Sequence, residues 1–285
     1  DRCKGSPVGK WTRIWYDAAR DFGRAAQQMI DESCSRRRAL TRPEFDALVA
    51  CEAGRSDEAD ARVLENLAIE GFARRASGQD EDEAARPYEI TTAGFMALEP
   101  YRARRAVFFA AGFGSRMLPI TVNTPKPLVR VHGKRFIERL LDAVIAVGIE
   151  EIYVVRGYLA DEFDVLLKKY PQVTFIDNPL FDQTNNISSA VAAKDHFANA
   201  YAFESDLYLT DPSYISKYQY RSNYLAFPVD KTEDWMFETT EEGRITRLAK
   251  GSDGRCWQMV GRSYWDGADG ARLAADLPEV FEQGE

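Results

Sequence analysis

The sequence is short of the residues on which much enzyme chemistry runs. It holds two histidines, His132 and His196, so a histidine base or a His-rich metal site has little to draw on. Four cysteines, Cys3, Cys34, Cys51 and Cys256, stand far apart with no C-x-x-C pair. That spacing argues against zinc and against a disulfide framework, and for reduced thiols in the cytoplasm. No apolar run approaches the roughly 20 residues that span a bilayer. The start, DRCKGSPVGK, lacks an initiator Met and the apolar core of a signal peptide, as a fragment of a longer chain would. Positive charge is scarce too: 37 Lys and Arg against 45 Asp and Glu leave a formal −8, which disfavours general affinity for nucleic-acid phosphates. What remains is an ordinary soluble composition, 45% hydrophobic over 285 residues, enough for one large or two ordinary domains.

Periodicity divides the chain in three. Over 1–38, apolar residues from Trp11 to Met29 recur at helical spacing, predicting an amphipathic packing helix of the kind that can close a homodimer. From 39 to 102 the order is helix, helix, short strand, loop, short strand, helix. LTRPEF carries a capping-box signature, with Thr41 as N-cap, Pro43 in the first turn and Glu44 at the third position. A second helix follows with Val63, Leu64, Leu67 and Ala68 inward, ending near Gly71. This is the order of a small α+β winged-helix-like module. Its wing tip, however, carries Asp80, Glu81, Asp82 and Glu83, which favours a packing or regulatory role over DNA binding. From 104 to 285 buried strands alternate with helices and give way to a β-rich half, predicting an α/β domain with a mixed, mostly parallel sheet.

The chemistry concentrates between Phe108 and Lys134. A strand runs into Gly112-Phe113-Gly114-Ser115-Arg116, which places free backbone N–H groups where an anion can approach. This is no dinucleotide fingerprint, because Met117 stands where the third glycine belongs, and no Walker A loop, which needs G-K-[ST]. Lys126 follows between Pro125 and Pro127, which restrict the backbone on both sides of it. An ammonium so placed suits a phosphate whose charge grows in a transition state.

The stretch AAGFGSRMLPITVNTPKPLVRVHGKRFIERLLDAV resembles the signature of nucleotidyltransferases that join a nucleoside triphosphate to a phosphorylated small molecule. Within them the chain resembles the bacterial choline-phosphate cytidylyltransferases, from about Ala106 to its end. Some of these look similar in carrying an N-terminal winged-helix module. The resemblance implies a Rossmann-like, GT-A-like nucleotidyltransferase fold and a Mg²⁺-dependent transfer from CTP to phosphocholine. It implies that Ala110, Ala111, Gly112, Gly114 and Ser115 lie against the nucleotide. Arg116 would meet the triphosphate tail, Lys126 the reacting phosphates, and Asp206 in FESDLYL the magnesium. Asn185, Asn186 and Ser188 in TNNISSAVAA resemble the cytidylyltransferase version of a nucleotide-contacting segment.

For the acceptor, a trimethylammonium head favours aromatic faces with a carboxylate nearby. Asp234 beside Trp235, and Tyr264-Trp265-Asp266, supply both ingredients, and Asp234, Trp235, Tyr264 and Trp265 are the expected phosphocholine-binding residues. One departure stands out: the family pattern has a further acidic metal ligand downstream of YWD, and this chain ends at DLPEVFEQGE before it. The alternatives are a sugar-1-phosphate or another amino-alcohol phosphate as acceptor, and a winged-helix regulator whose second half only senses ligand.

Overall fold

The computed structural model describes residues 38–77, 87–184 and 186–283. The helix expected over 11–30 and the acidic wing tip over 80–83 lie outside them, as does Asn185. The described residues form two compact units: one of residues up to Arg102 together with Tyr218–Tyr220, the other of Ala103–Lys217 and the residues from Arg221 onward.

In the first unit α1 (Arg42–Glu52) opens on the expected capping box. The Thr41 hydroxyl accepts from the Glu44 N–H at 3.5 Å, and the Glu44 carboxylate accepts from the Thr41 N–H at 2.8 Å. Two of the orphan donors at this end of the helix are thereby satisfied. Helix α2 (Ala61–Ile69) is capped by Asp60 and buries Leu64 and Leu67. Strands β1 (Ala73–Arg75) and β2 (Tyr88–Ile90) pair antiparallel, and α3 (Thr92–Leu98) follows. Phe45, Leu48, Leu67, Leu98 and Tyr218 share the core, so three residues from late in the chain complete it. Tyr101 stacks on Tyr220 with ring centroids 5.7 Å apart.

The second unit is built on an eight-stranded mixed sheet. Strands β3 (Arg105–Phe109), β6 (Glu151–Arg156), β7 (Val173–Asp177) and β8 (Ala200–Glu204) run parallel. Between β3 and β6 lie the small hairpin β4 (Arg130–Val131) and β5 (Lys134–Arg135), then α4 (Phe136–Ala146). A 3₁₀ segment Ala160–Lys168 joins β6 to β7, where the sequence predicts an α-helix, and α5 (Asn186–Ala192) precedes β8. The β-rich half is antiparallel: β9 (Asn223–Val229), β10 (Thr232–Thr239), β11 (Ile245–Ser252) and β12 (Cys256–Trp265). Helix α6 (Gly267–Gln283) closes the described chain.

Strand order makes the site. The chain steps outward from β3 to β6 and β7, then returns to lay β8 on the other side of β3. Consecutive connections therefore diverge between β3 and β8, and the crevice outside their carboxyl ends is where open α/β sheets take ligands. Both faces are covered. Phe108, Val154, Phe203 and Tyr264 meet Leu140 of α4 on one face. Val107, Val155, Ala202 and Trp265 meet Ile187 of α5 and Leu273 of α6 on the other.

Candidate active site

The loop after β3 is fixed from behind. The Ala110 N–H donates to the Val155 carbonyl at 2.8 Å, and the Tyr158 N–H donates to the Ala111 carbonyl at 3.0 Å. Ala110 and Ala111 are buried, while Gly112 opens to solvent. Gly114 takes the left-handed conformation at φ 65°, which a glycine adopts without steric cost. A side chain there would also be crowded, its Cβ 3.0 Å from both Lys126 Cβ and Thr121 Cγ2. Fully buried Thr121 donates through Oγ1 to the Gly114 carbonyl at 2.9 Å. The Tyr158 hydroxyl donates to the Val122 carbonyl at 2.8 Å. Half-exposed Phe113 packs its ring against Tyr158 and Phe181 at 5.1 and 5.4 Å. Gly157 permits this, since a Cβ there would fall 2.5 Å from Phe181 Cβ.

Lys126 emerges between two buried prolines and forms an ion pair with Asp206. Asp206 owes its place to Ser205, whose buried hydroxyl donates to the Phe109 carbonyl at 2.5 Å. That bond ties the end of β8 to the end of β3, so the carboxylate and the glycine loop share one crevice. Arg116 and Ser115 stand exposed on the same loop.

The residue that sequence reasoning missed is Glu204. It is the one solvent-open position of a strand whose other four residues are buried. Its carboxyl is nonetheless crowded by protein, and its pKa is pushed up, first by that desolvation and next by the charge of Asp206. Asp234 pushes in the same direction, while Lys126 and Arg116 pull it down. Four of the residues singled out in the sequence thus converge electrostatically on a fifth. Glu204 ends β8 two residues before Asp206, which lies in the turn that follows, and only β12 shows what stands opposite it. There Gly261 leaves room: a Cβ on it would lie 2.6 Å from Glu204 Cβ and 2.7 Å from Glu204 Oε2.

The remaining predicted residues divide. Asp234 is exposed on β10 and its charge reaches Glu204, while its neighbour Trp235 is half-buried. Ser188 is buried and accepts from the Asn178 amide at 2.8 Å, with Ser189 accepting at 3.1 Å, so it anchors the turn before α5. Asn186 is exposed at the start of that helix. Tyr264 and Trp265 do not form the expected cage. Consecutive side chains of a strand point to opposite faces, and helices cover both, so the two rings lie in the two cores at 1% and 5% exposure. Asp266 next to them caps α6, accepting from the N–H groups of Ala268 and Asp269 at 3.0 Å each.

Comparison with known proteins places the fold in a family. Residues 106–227 match the family described as the MobA-like NTP transferase domain. The 2-aminoethylphosphonate cytidylyltransferase of Lancefieldella rimae is 37% identical over 181 residues, which cover 62% of this chain and 73% of the relative. The choline-phosphate cytidylyltransferase of Streptococcus pneumoniae is 29% identical, over 64% of this chain and 78% of the relative. The solved CTP:phosphocholine cytidylyltransferase of Streptococcus pneumoniae superposes with a TM-score of 0.60, covering 64% of this chain and 79% of that one.

Proposed function

The chain belongs to the cytidylyltransferases with a MobA-like NTP transferase domain, and on that footing we propose that it transfers the cytidylyl group of CTP to a small amine-bearing phosphate or phosphonate. The observation that carries the reading is the Lys126–Asp206 ion pair beside the Gly112–Gly114 turn. A held cation, a carboxylate and bare backbone N–H groups face one crevice at the switch point of the sheet.

An acceptor oxygen attacks the α-phosphorus in line and pyrophosphate leaves, with no covalent intermediate. Backbone from Ala110 to Ser115, with Asn186 nearby, would seat the nucleotide. Arg116 would hold the triphosphate tail, and Lys126 would meet the charge that builds on the reacting phosphate. Magnesium suits the donor set. Among the described residues no three His, Cys, Asp or Glu side chains group to hold a metal. A hard cation that takes one or two carboxylates and completes its shell from phosphate and water needs no such group. Asp206 would hold it, and it would supply charge neutralisation on the phosphate oxygens.

The acceptor class rests on the relatives, which act on 2-aminoethylphosphonate and on choline phosphate; both carry a cationic nitrogen a few bonds from phosphorus. The test is pyrophosphate release from each of the four ribonucleoside triphosphates, with Mg²⁺ and either 2-aminoethylphosphonate, phosphocholine or glucose-1-phosphate. Release with CTP and an amine-bearing acceptor alone is expected. Release only with glucose-1-phosphate, or with none, would overturn the reading. We read residues 39–102 as a winged-helix-like packing or regulatory module, on their order of helix, helix, hairpin and helix.

A further inference from the structure

Resting on the cytidylyl-transfer reading, we propose that Glu204 is the residue that selects the acceptor, receiving a primary ammonium in preference to a trimethylammonium.

Glu204 sits where β12 changes partners. One edge of β12 pairs with β10 at Trp257 and Gln258, and with β8 from Arg262 to Trp265. Between Gln258 and Arg262 neither strand pairs with that edge, and Gly261 stands in the interval. The Glu204 side chain lies against Gly261, close enough that any side chain there would displace it. The carboxylate is thus held in a recess that stays open to solvent. Among the described residues its oxygens make no hydrogen bond or ion pair. A held carboxylate on the open end of its strand, with no hydrogen-bond partner, is a receptor for a cation that donates hydrogen bonds; Asp206 and Asp234 add negative charge beside it, and Lys126 and Arg116 positive charge.

The choice of cation follows from what surrounds it. A primary ammonium carries three N–H donors and is held best by carboxylate acceptors. A trimethylammonium has no donor and is bound by aromatic faces. Of the aromatic residues the sequence offers for a cage, Tyr264 and Trp265 are locked in the two cores, and only Trp235 keeps a partly open ring. A carboxylate acceptor is therefore better placed here than an aromatic cage.

The experiment measures kcat/KM for 2-aminoethylphosphonate, phosphoethanolamine and phosphocholine with CTP, in the full chain and in Glu204→Gln. The expected result is a preference for the two primary amines in the unaltered protein. In Glu204→Gln that preference should collapse by about 10- to 100-fold, with the KM for CTP changed far less. Glu204→Asp should restore part of it. A protein that takes phosphocholine as well as or better than both primary amines overturns this inference and leaves cytidylyl transfer standing. So does a Glu204→Gln that slows all three acceptors equally, as a shared role in catalysis or metal binding would. Turnover of none of the acceptors by the unaltered protein overturns cytidylyl transfer itself. If Glu204→Gln does not fold, the ranking in the unaltered protein can still refute the inference, and a Glu204→Asp that leaves the ranking untouched overturns it too.

Discussion

At the scale of single residues, the site depends on charges placed against a bare backbone. Lys126 and Asp206 neutralise each other before substrate arrives, so neither needs to reorganise far when phosphates enter between them. Charge stabilisation of this kind is worth about 10²–10³ in kcat per donor. Lys126→Ala and Asp206→Asn should each lose about that much in pyrophosphate release, with smaller changes in the KM for CTP. A Lys126→Ala protein of ordinary kcat would remove the ion pair from the mechanism. Lys126 was legible in the sequence because Pro125 and Pro127 restrict it on both sides, and Asp206 because FESDLYL resembles the family's metal-binding segment. Glu204 was not, because its meaning depends on Gly261, 57 positions later, and on the strand register that brings the two together.

At the scale of elements, loops and caps are decided by backbone geometry. Gly114→Ala would put a side chain at positive φ and crowd Lys126 and Thr121, at a cost of roughly 1–2 kcal/mol. Gly112→Ala meets nothing within 4 Å. Thermal melts should therefore separate the two variants, the first destabilised and the second not, while both raise the KM for CTP if phosphates approach that backbone. In the other unit, Thr41→Ala removes the cap of α1 and should cost about 1 kcal/mol of that unit's stability, read by denaturant titration, with turnover unchanged. The capping box was readable from LTRPEF because it is a contact of three residues. Helix α6 was not assigned, although Leu273, Leu277, Val280 and Phe281 recur at helical spacing. Gly267, Gly270 and Pro278 break the pattern to the eye. The structure explains one of them, since a Cβ at Gly270 would lie 2.4 Å from the Phe197 carbonyl oxygen. Along 160–168 the apolar spacing could not tell a 3₁₀ coil from an α-helix.

At the scale of the whole molecule, one buried carboxyl ties stability to pH. Asp269 accepts from the Ser222 hydroxyl at 2.5 Å. Burial first, and then the charge of Asp266, push its pKa up to about 7, against about 3.9 for an unperturbed aspartate. Between those values the folded chain keeps a proton that the unfolded chain has lost. Stability from this group is therefore complete below about pH 4 and is lost as pH rises through 7, by on the order of 4 kcal/mol. Asp269→Asn keeps an acceptor for Ser222 and should flatten that slope, leaving the variant more stable than the parent at pH 8. Denaturant midpoints at pH 5 and pH 8 measure this, and parallel slopes in both proteins would refute it.

By itself the sequence determined the alternation of strands and helices, the glycine turn, and the stiff setting of Lys126 between two prolines. Each of these is a property of residues near one another in the chain, where spacing, proline restraint and apolar period act directly. Tertiary structure alone decided which aromatic residues keep an open face, that Tyr218–Tyr220 complete the core of the other unit, and that Glu204 lies against Gly261. The physical reason is that side-chain exposure and mutual charge depend on strand order, and on which helices cover each face of the sheet. Neither is written in any local run of residues.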